Sequence, residues 1–239
     1  MGDSMQYAML ITSLPWLGPL FAADQTPLSR LRLENRLRHL DAKDAAALSE
    51  LTSVLHWIHL DLDLNEAQLI QRVQELETNW GDGFLSHLLR FRLELRTAVA
   101  ALRRRRRGEK EAPVHPWGYG RWVKHIERYW SEPGFRLQRV FPWIEEAEQL
   151  IEKRDSRALE RLQMTVVWNH LTGISIGHEF DFEAVVIYVM RWDLLVRWSS
   201  AKGEAARERF DQLVDAGLGK YAHLFSAAES VNAAQLKDA

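Results

Sequence analysis

Apolar residues three and four positions apart recur along almost the whole chain, and this one period decides the fold class. Leu33, Leu37 and Leu40 open the pattern, and Leu48, Leu51 and Leu55 continue it. Leu69, Ile70, Val73, Leu76 and Trp80 lie along one face, and Leu85, Leu88, Leu95, Val99 and Leu102 form a stripe over 84–107. The period resumes at Trp122, Ile126 and Trp130, then at Trp143, Ala147, Leu150 and Ile151, then at Leu159, Leu162 and Val166. A last amphipathic segment holds Phe210, Leu213 and Val214, and 226–239 reads as a frayed tail. Start signals fit helices: Thr26 before Pro27, Asp41 with Asp44, Asn65 with Gln68, Asp155 or Ser156, and Asp181. The expected fold is therefore all-α and multi-helix. One stretch reads two ways, because Val185-Val-Ile-Tyr-Val is β-branched enough for a buried strand. Its apolar pattern extends over 182–198, too long for an ordinary strand, and favours helix.

The clearest break is the Pro- and Gly-rich stretch 113–120, which predicts a long surface loop or a linker. With 239 residues, the chain divides there into an N-terminal helical half, 1–112, and a C-terminal half, 113–239, or forms one continuous domain. The chain has no cysteine, which removes disulfide scaffolds, thiol nucleophiles, iron–sulfur clusters and Cys-containing zinc sites. No basic residue precedes Arg30, so 8–14 is a poor signal peptide. The most apolar long stretch, 184–198, is interrupted by Arg191, Asp193 and Arg197, so no direct membrane span is expected. The expected location is cytoplasmic, touching a membrane only through a partner.

A net charge of −2 hides opposite fields. Residues 84–110 carry nine Lys/Arg against two acidic residues, including the run Arg103, Arg104, Arg105, Arg106 and Arg107; residues 40–80 carry eight Asp/Glu against two Lys/Arg. Cations at a helix C-terminus are favoured by the dipole, so the run reads as a solvated helix end. It reads equally as a docking site, since guanidinium groups pair bidentately with carboxylates and phosphates. An acidic protein surface, anionic lipid headgroups or nucleic acid would all fit that chemistry. The overall charge and the lack of a nucleic-acid motif weigh against nucleic acid. Consecutive arginines spiral around a helix, so they cannot all face one groove.

His56, His59, Asp61 and Asp63 have metal-ligand types at suitable density, but they match no standard metal spacing. They are weak candidates for a metal-dependent hydrolase. His178-Glu179 reads as a loop pair, and His170 as a packed core histidine. No phosphate loop, dinucleotide fingerprint or nucleophile elbow is present, so the sequence implies neither catalysis nor a cofactor. Among ten tryptophans, Trp80, Trp122, Trp130, Trp143 and Trp192 fall at helical apolar positions and read as core. Trp16 and Trp117 sit in Pro/Gly-rich segments and are candidate interface anchors. Trp16 belongs to an apolar N-terminal segment that has to be covered by something.

Three stretches resemble a small uncharacterised bacterial family encoded beside V-type (V/A-type) ATPase genes. They are Tyr7-Ala-Met-Leu-Ile-Thr-Ser-Leu-Pro-Trp-Leu with Thr26-Pro-Leu-Ser-Arg-Leu-Arg-Leu-Glu-Asn-Arg-Leu; Arg92-Leu-Glu-Leu-Arg-Thr-Ala with its arginine tail; and Asp155 to Trp168 with Phe180-Asp-Phe-Glu-Ala-Val-Val-Ile-Tyr188 to Trp198. The resemblance implies a counterpart of the C (or d) subunit of the rotary ATPase. Such a protein would be an elongated or funnel-like helical bundle, without catalytic residues, coupling the central stalk to the membrane rotor ring. The partners implied are other ATPase subunits, which would hold the protein peripherally on the inner membrane. By the same analogy Arg92, Glu94, Arg96 and Arg103–Arg107 belong to an interaction surface.

Overall fold

A computed structural model describes residues 2–22, 27–60, 66–114 and 116–200, without the side chains of 2–4, 56–60 and 66. The described chain is helical and contains no strand. In order it forms α1 (Gly2–Ser13), α2 (Arg30–Leu37), α3 (Ala42–Leu60), α4 (Glu66–Trp80), α5 (Phe84–Arg106), α6 (Val123–Arg128), a short 3-10 turn (Pro133–Arg136), α7 (Ile144–Glu152) and α8 (Ser156–Ile174). Residues 182–200 form α9, which decides the ambiguous Val185–Val189 stretch as helix. The expected helix around Phe210 and the tail 226–239 lie outside the described residues.

Capping chemistry explains most boundaries. Asp41 Oδ1 accepts the Asp44 N–H, Asp155 Oδ1 the Ala158 N–H and Asp181 Oδ1 the Ala184 N–H, each at 2.8 Å. Each cap satisfies a donor that the first helical turn leaves unpaired. Gly81, with φ +69, ends α4 in the left-handed conformation that favours glycine. Two expectations shift. The helix predicted from Thr26-Pro27 begins at Arg30, after Ser29, and Thr26 lies outside the described residues. The N-terminal apolar segment is itself a helix, α1. Its polar residues, Asp3, Ser4, Gln6, Thr12 and Ser13, are spread around the helix, so it lacks the single polar face that marks an amphipathic helix.

Two compact units divide the chain: Met1–Trp16 with Leu28–Arg191, and Leu17–Pro27 with Trp192–Ala239. In the second, Phe21 meets Trp198 edge to face at 4.9 Å. The first is built around α5, twelve of whose 23 residues are buried, so most of its circumference is covered. It packs against α3, α4, α6 and α7, and α7 in turn against α8. Leu48, Leu51, Val54 and Leu55 of α3 and Leu69, Val73 and Leu76 of α4 are buried in this unit. A core cluster joins Ala98, Val99, Ala101 and Leu102 of α5 to Trp117, Ile126, Trp130, Phe135, Phe141, Ile144 and Leu159.

That cluster corrects the division at 113–120. Residues on both sides of the break share one core, so the stretch is a strap across α5 and does not separate two halves. The Thr97 hydroxyl donates to the Tyr119 carbonyl (3.1 Å) and accepts the Tyr119 N–H (2.9 Å). The glycines let the strap come this close. A Cβ at Gly118 would lie 2.6 Å from Thr97 Cγ2, and one at Gly120, where φ is +102, would lie 2.4 Å from Glu94 Cγ. We expect Gly120→Ala to lower unfolding free energy by about 2–3 kcal/mol, from combined strain and collision. Gly108→Ala, with φ +96 but open space around it, should lose less. Denaturant titration of both variants measures the difference.

Candidate docking surface

Within the arginine run Arg104 and Arg105 are half-buried, and Arg103, Arg106 and Arg107 are exposed. On a helix five consecutive residues cover more than a full turn, so the run is split between faces. Arg105 turns inward. Its guanidinium pairs with Glu148 of α7, donates to the carbonyls of Trp130 (3.2 Å) and Glu132 (2.5 Å), and lies 4.7 Å over the Phe135 ring. Burial pulls its pKa down and Glu152 opposes that pull. Glu148 also accepts the Gly134 N–H at 2.9 Å. Together Arg105 and Glu148 clamp a turn in which Gly134, Phe135 and Arg136 all have φ between +52 and +57. Left-handed backbone is costly for the two non-glycine residues, and the clamp offsets that cost.

Arg104 pairs with Glu109 at 3.5 Å, and Arg106 donates to the Glu152 carbonyl at 3.5 Å. Arg103 and Arg107 are exposed, one helical turn apart, and form no side-chain ion pair among the described residues. Leu102, Arg105 and Arg106 meet Glu148, Ile151 and Glu152 across one cleft, so the last turns of α5 and α7 adjoin. Lys153 and Arg154, both exposed, follow α7 directly. Two helix C-termini thus bring together cations about fifty positions apart. Lys153 and Arg154 were missed from sequence because only the α5–α7 packing makes them part of this surface.

The other candidate residues are placed differently. Arg92 is buried, and Arg96 is half-buried beside Thr97, Trp117 and Tyr119. Trp117 is 2% exposed, packs edge to face on Trp130 at 5.8 Å, and donates its indole N–H to Glu127 at 3.1 Å. It is a core residue, which corrects its reading as a surface anchor; its Pro/Gly setting reflects the strap. Trp16 is 83% exposed. Trp130 and Trp192 are buried, whereas Trp80, Trp122 and Trp143 are half-buried. His170 stacks on Phe91, centroids 3.6 Å apart, with burial first and Arg92 second drawing its pKa down. Asp61 and Asp63 lie outside the described residues, as do the side chains of His56 and His59.

Glu94, buried at the centre of α5, accepts the Arg121 N–H at 3.1 Å and pairs with the Arg121 guanidinium at 3.4 Å. Burial pushes its pKa up, and the Arg121 N–H and the Arg121 and Arg90 charges hold it down less strongly. The basic and acidic segments meet in part: Arg90 pairs with Glu77 at 3.2 Å, and the Tyr119 hydroxyl also donates to Glu77. His178, Asp181 and Glu183 place ligand-type atoms within 4.8 Å of one another. Asp181 uses one oxygen to cap α9 and the other to bind His178 Nδ1 at 2.7 Å, so the helix start accounts for that grouping.

The described molecule is an all-helical protein with a basic surface at adjoining helix ends. Residues 48–217 match the family described as "Protein of unknown function (DUF2764)", and the chain belongs to that family. No curated protein and no solved structure matches it.

Arg105→Ala should cost about 2–3 kcal/mol, because Glu148 and two carbonyls lose their donor. The double change Arg103→Ala with Arg107→Ala should stay within about 0.5 kcal/mol of the parent. Chemical denaturation separates the two classes. Glu94 supplies a pH signature. Its folded pKa lies above the ordinary 4.5, so its contribution is fully present below that value and is lost as pH rises through the raised pKa. Glu94→Gln should therefore gain stability relative to the parent as pH rises from about 4.5, then level off. A parallel pair of denaturation series against pH tests this.

Proposed function

We propose that this protein is a non-catalytic helical subunit, or an accessory or assembly protein, of a bacterial V/A-type rotary ATPase, coupling the central stalk to the membrane rotor ring. The observation that carries the reading is the basic surface of Arg103, Arg107, Lys153 and Arg154 on two packed helix ends. Such a surface suits an acidic protein partner: outward cations steer and orient the encounter, and the inward Arg105 keeps their support rigid. The sequence resemblance supplies the identity of that partner. A related function for Trp16 follows from its exposure, since isolated aromatic side chains held at a surface serve as contact anchors. Trp117 and Arg92, being buried, are left out of the surface.

The mechanism in this reading is mechanical. Helices locked by a continuous core pass force from one end to the other without a chemical step. Expression of the tagged protein from its own operon, followed by affinity capture and mass spectrometry, tests the assignment. Stalk or ring subunits should co-purify, and Arg103→Glu with Arg107→Glu should reduce their recovery at least tenfold. Recovery of no ATPase subunit, or of nucleic acid in a salt-sensitive complex instead, would sink the proposal.

A further inference from the structure

The described molecule covers only one side of helix α1, and the large side chains it leaves uncovered are apolar. Tyr7 and Leu10 are buried, and the Tyr7 hydroxyl bonds Asp44 of α3. Gln6 and Ser13 are tied to the α2 end through the His39 carbonyl and the Arg36 guanidinium. At 100° per residue, Met5, Met9 and Thr12 fall on the side opposite Tyr7 and Leu10. Met5 and Met9 are each 70% exposed. Trp16 follows just past the helix end, next to Pro15, whose carbonyl is held by the Tyr188 hydroxyl at 2.9 Å. On α2, Leu31 is 67% exposed and points away from the buried Leu33. Four of the eight large exposed apolar side chains among the described residues thus belong to α1, its extension and α2, two helices that contact each other.

Charges of both signs lie beside this patch, and the acidic groups whose side chains are described are each engaged. Residues 5–13 carry none. Glu34 is paired with Arg30 at 2.9 Å, Asp44 is bound to Tyr7, and Asp41 caps α3. Arg32 and Arg38 are exposed and make no ion pair among the described residues. A second copy of the chain seated symmetrically would bring these arginines toward their own equivalents, so self-association is disfavoured. Flexible methionines, one tryptophan and a leucine rimmed by long cationic side chains match the interfacial zone of a bilayer. There the apolar groups sink to headgroup depth, and the guanidinium groups stay at the phosphates.

The geometry points to the α1–α2 face as a peripheral membrane-binding surface that selects anionic lipid, through Met5, Met9, Trp16 and Leu31 for insertion and Arg32 and Arg38 for charge. It shares Trp16 with the ATPase assignment, but capture of subunits and vesicle binding are separate readouts, so either can fail alone. A cation near an anionic bilayer strengthens binding by about fivefold, so the two arginines together contribute about 25-fold.

The test is co-sedimentation of the full chain with phosphatidylcholine vesicles, with and without about one-third phosphatidylglycerol. Binding should be about 25-fold weaker on the neutral vesicles. Arg32→Gln with Arg38→Gln should bring anionic binding down to the neutral level. Met9→Asp with Trp16→Asp should abolish sedimentation on both, with an unchanged circular dichroism melt. Arg103→Gln with Arg107→Gln should leave binding intact. No sedimentation with the anionic vesicles overturns the proposal. So does loss of binding in the Arg103/Arg107 variant while the α1–α2 variants still bind. Should the aspartate variant melt early, the Arg32/Arg38 pair decides alone.

Discussion

A helix enclosed on several sides can hold polar residues only where each finds a partner, and α5 meets that condition along its length. Ser86 donates to the Gly81 carbonyl at its start. Glu94 and Thr97 fasten the strap at Arg121 and Tyr119 through backbone groups. Near its end, Arg105 gathers the Trp130 and Glu132 carbonyls. Leucines and alanines fill the rest of the circumference. The polar contacts fix where each connecting segment must lie, because an apolar surface alone would accept them in several registers. The loops are thus positioned by α5, and with them the end of α7 and the basic surface.

The same arrangement explains why the arginine run has two roles. One member is withdrawn from solvent to hold the interior, and its neighbours on the helix are left outside. Their side chains project from a backbone whose position is set by a half-buried ion pair and a cation–aromatic contact. The backbone beneath these side chains is fixed in advance, so ordering on binding is confined to the exposed side chains themselves.

Helices were legible because their period and caps are local. Asp41, Asp155 and Asp181 announced three starts that the structure places where expected. The strap was misread because proline and glycine carry the same local signal in an exposed linker and in a segment pressed onto a helix. Gly118 and Gly120 are needed for contact with Thr97 and Glu94, residues some twenty-five positions away. Trp117 was misplaced for the same reason. The direction of each arginine was not legible either, since Arg105 is distinguished only by Glu148, on a helix that packs from elsewhere in the chain. Lys153 and Arg154 join the basic surface only because α7 packs beside α5. Helix α1 escaped because its polar residues do not gather on one face, and only the structure shows which side the described residues leave bare.

The left-handed turn at Gly134–Arg136 gives the molecule an uneven resistance to opening. Phe135 is fully buried there although its backbone is unfavourable, so the ring and the Arg105–Glu148 clamp hold what the local chain would not choose. The turn's own bonds, Phe135 N–H to the Glu132 carbonyl at 3.0 Å and Leu137 N–H to the Gly134 carbonyl at 2.9 Å, leave its left-handed backbone dependent on that clamp. A load applied at the end of α5 would therefore reach this turn first, while the caps at Asp155 and Asp181 stayed closed. That makes the turn the first place to open under load.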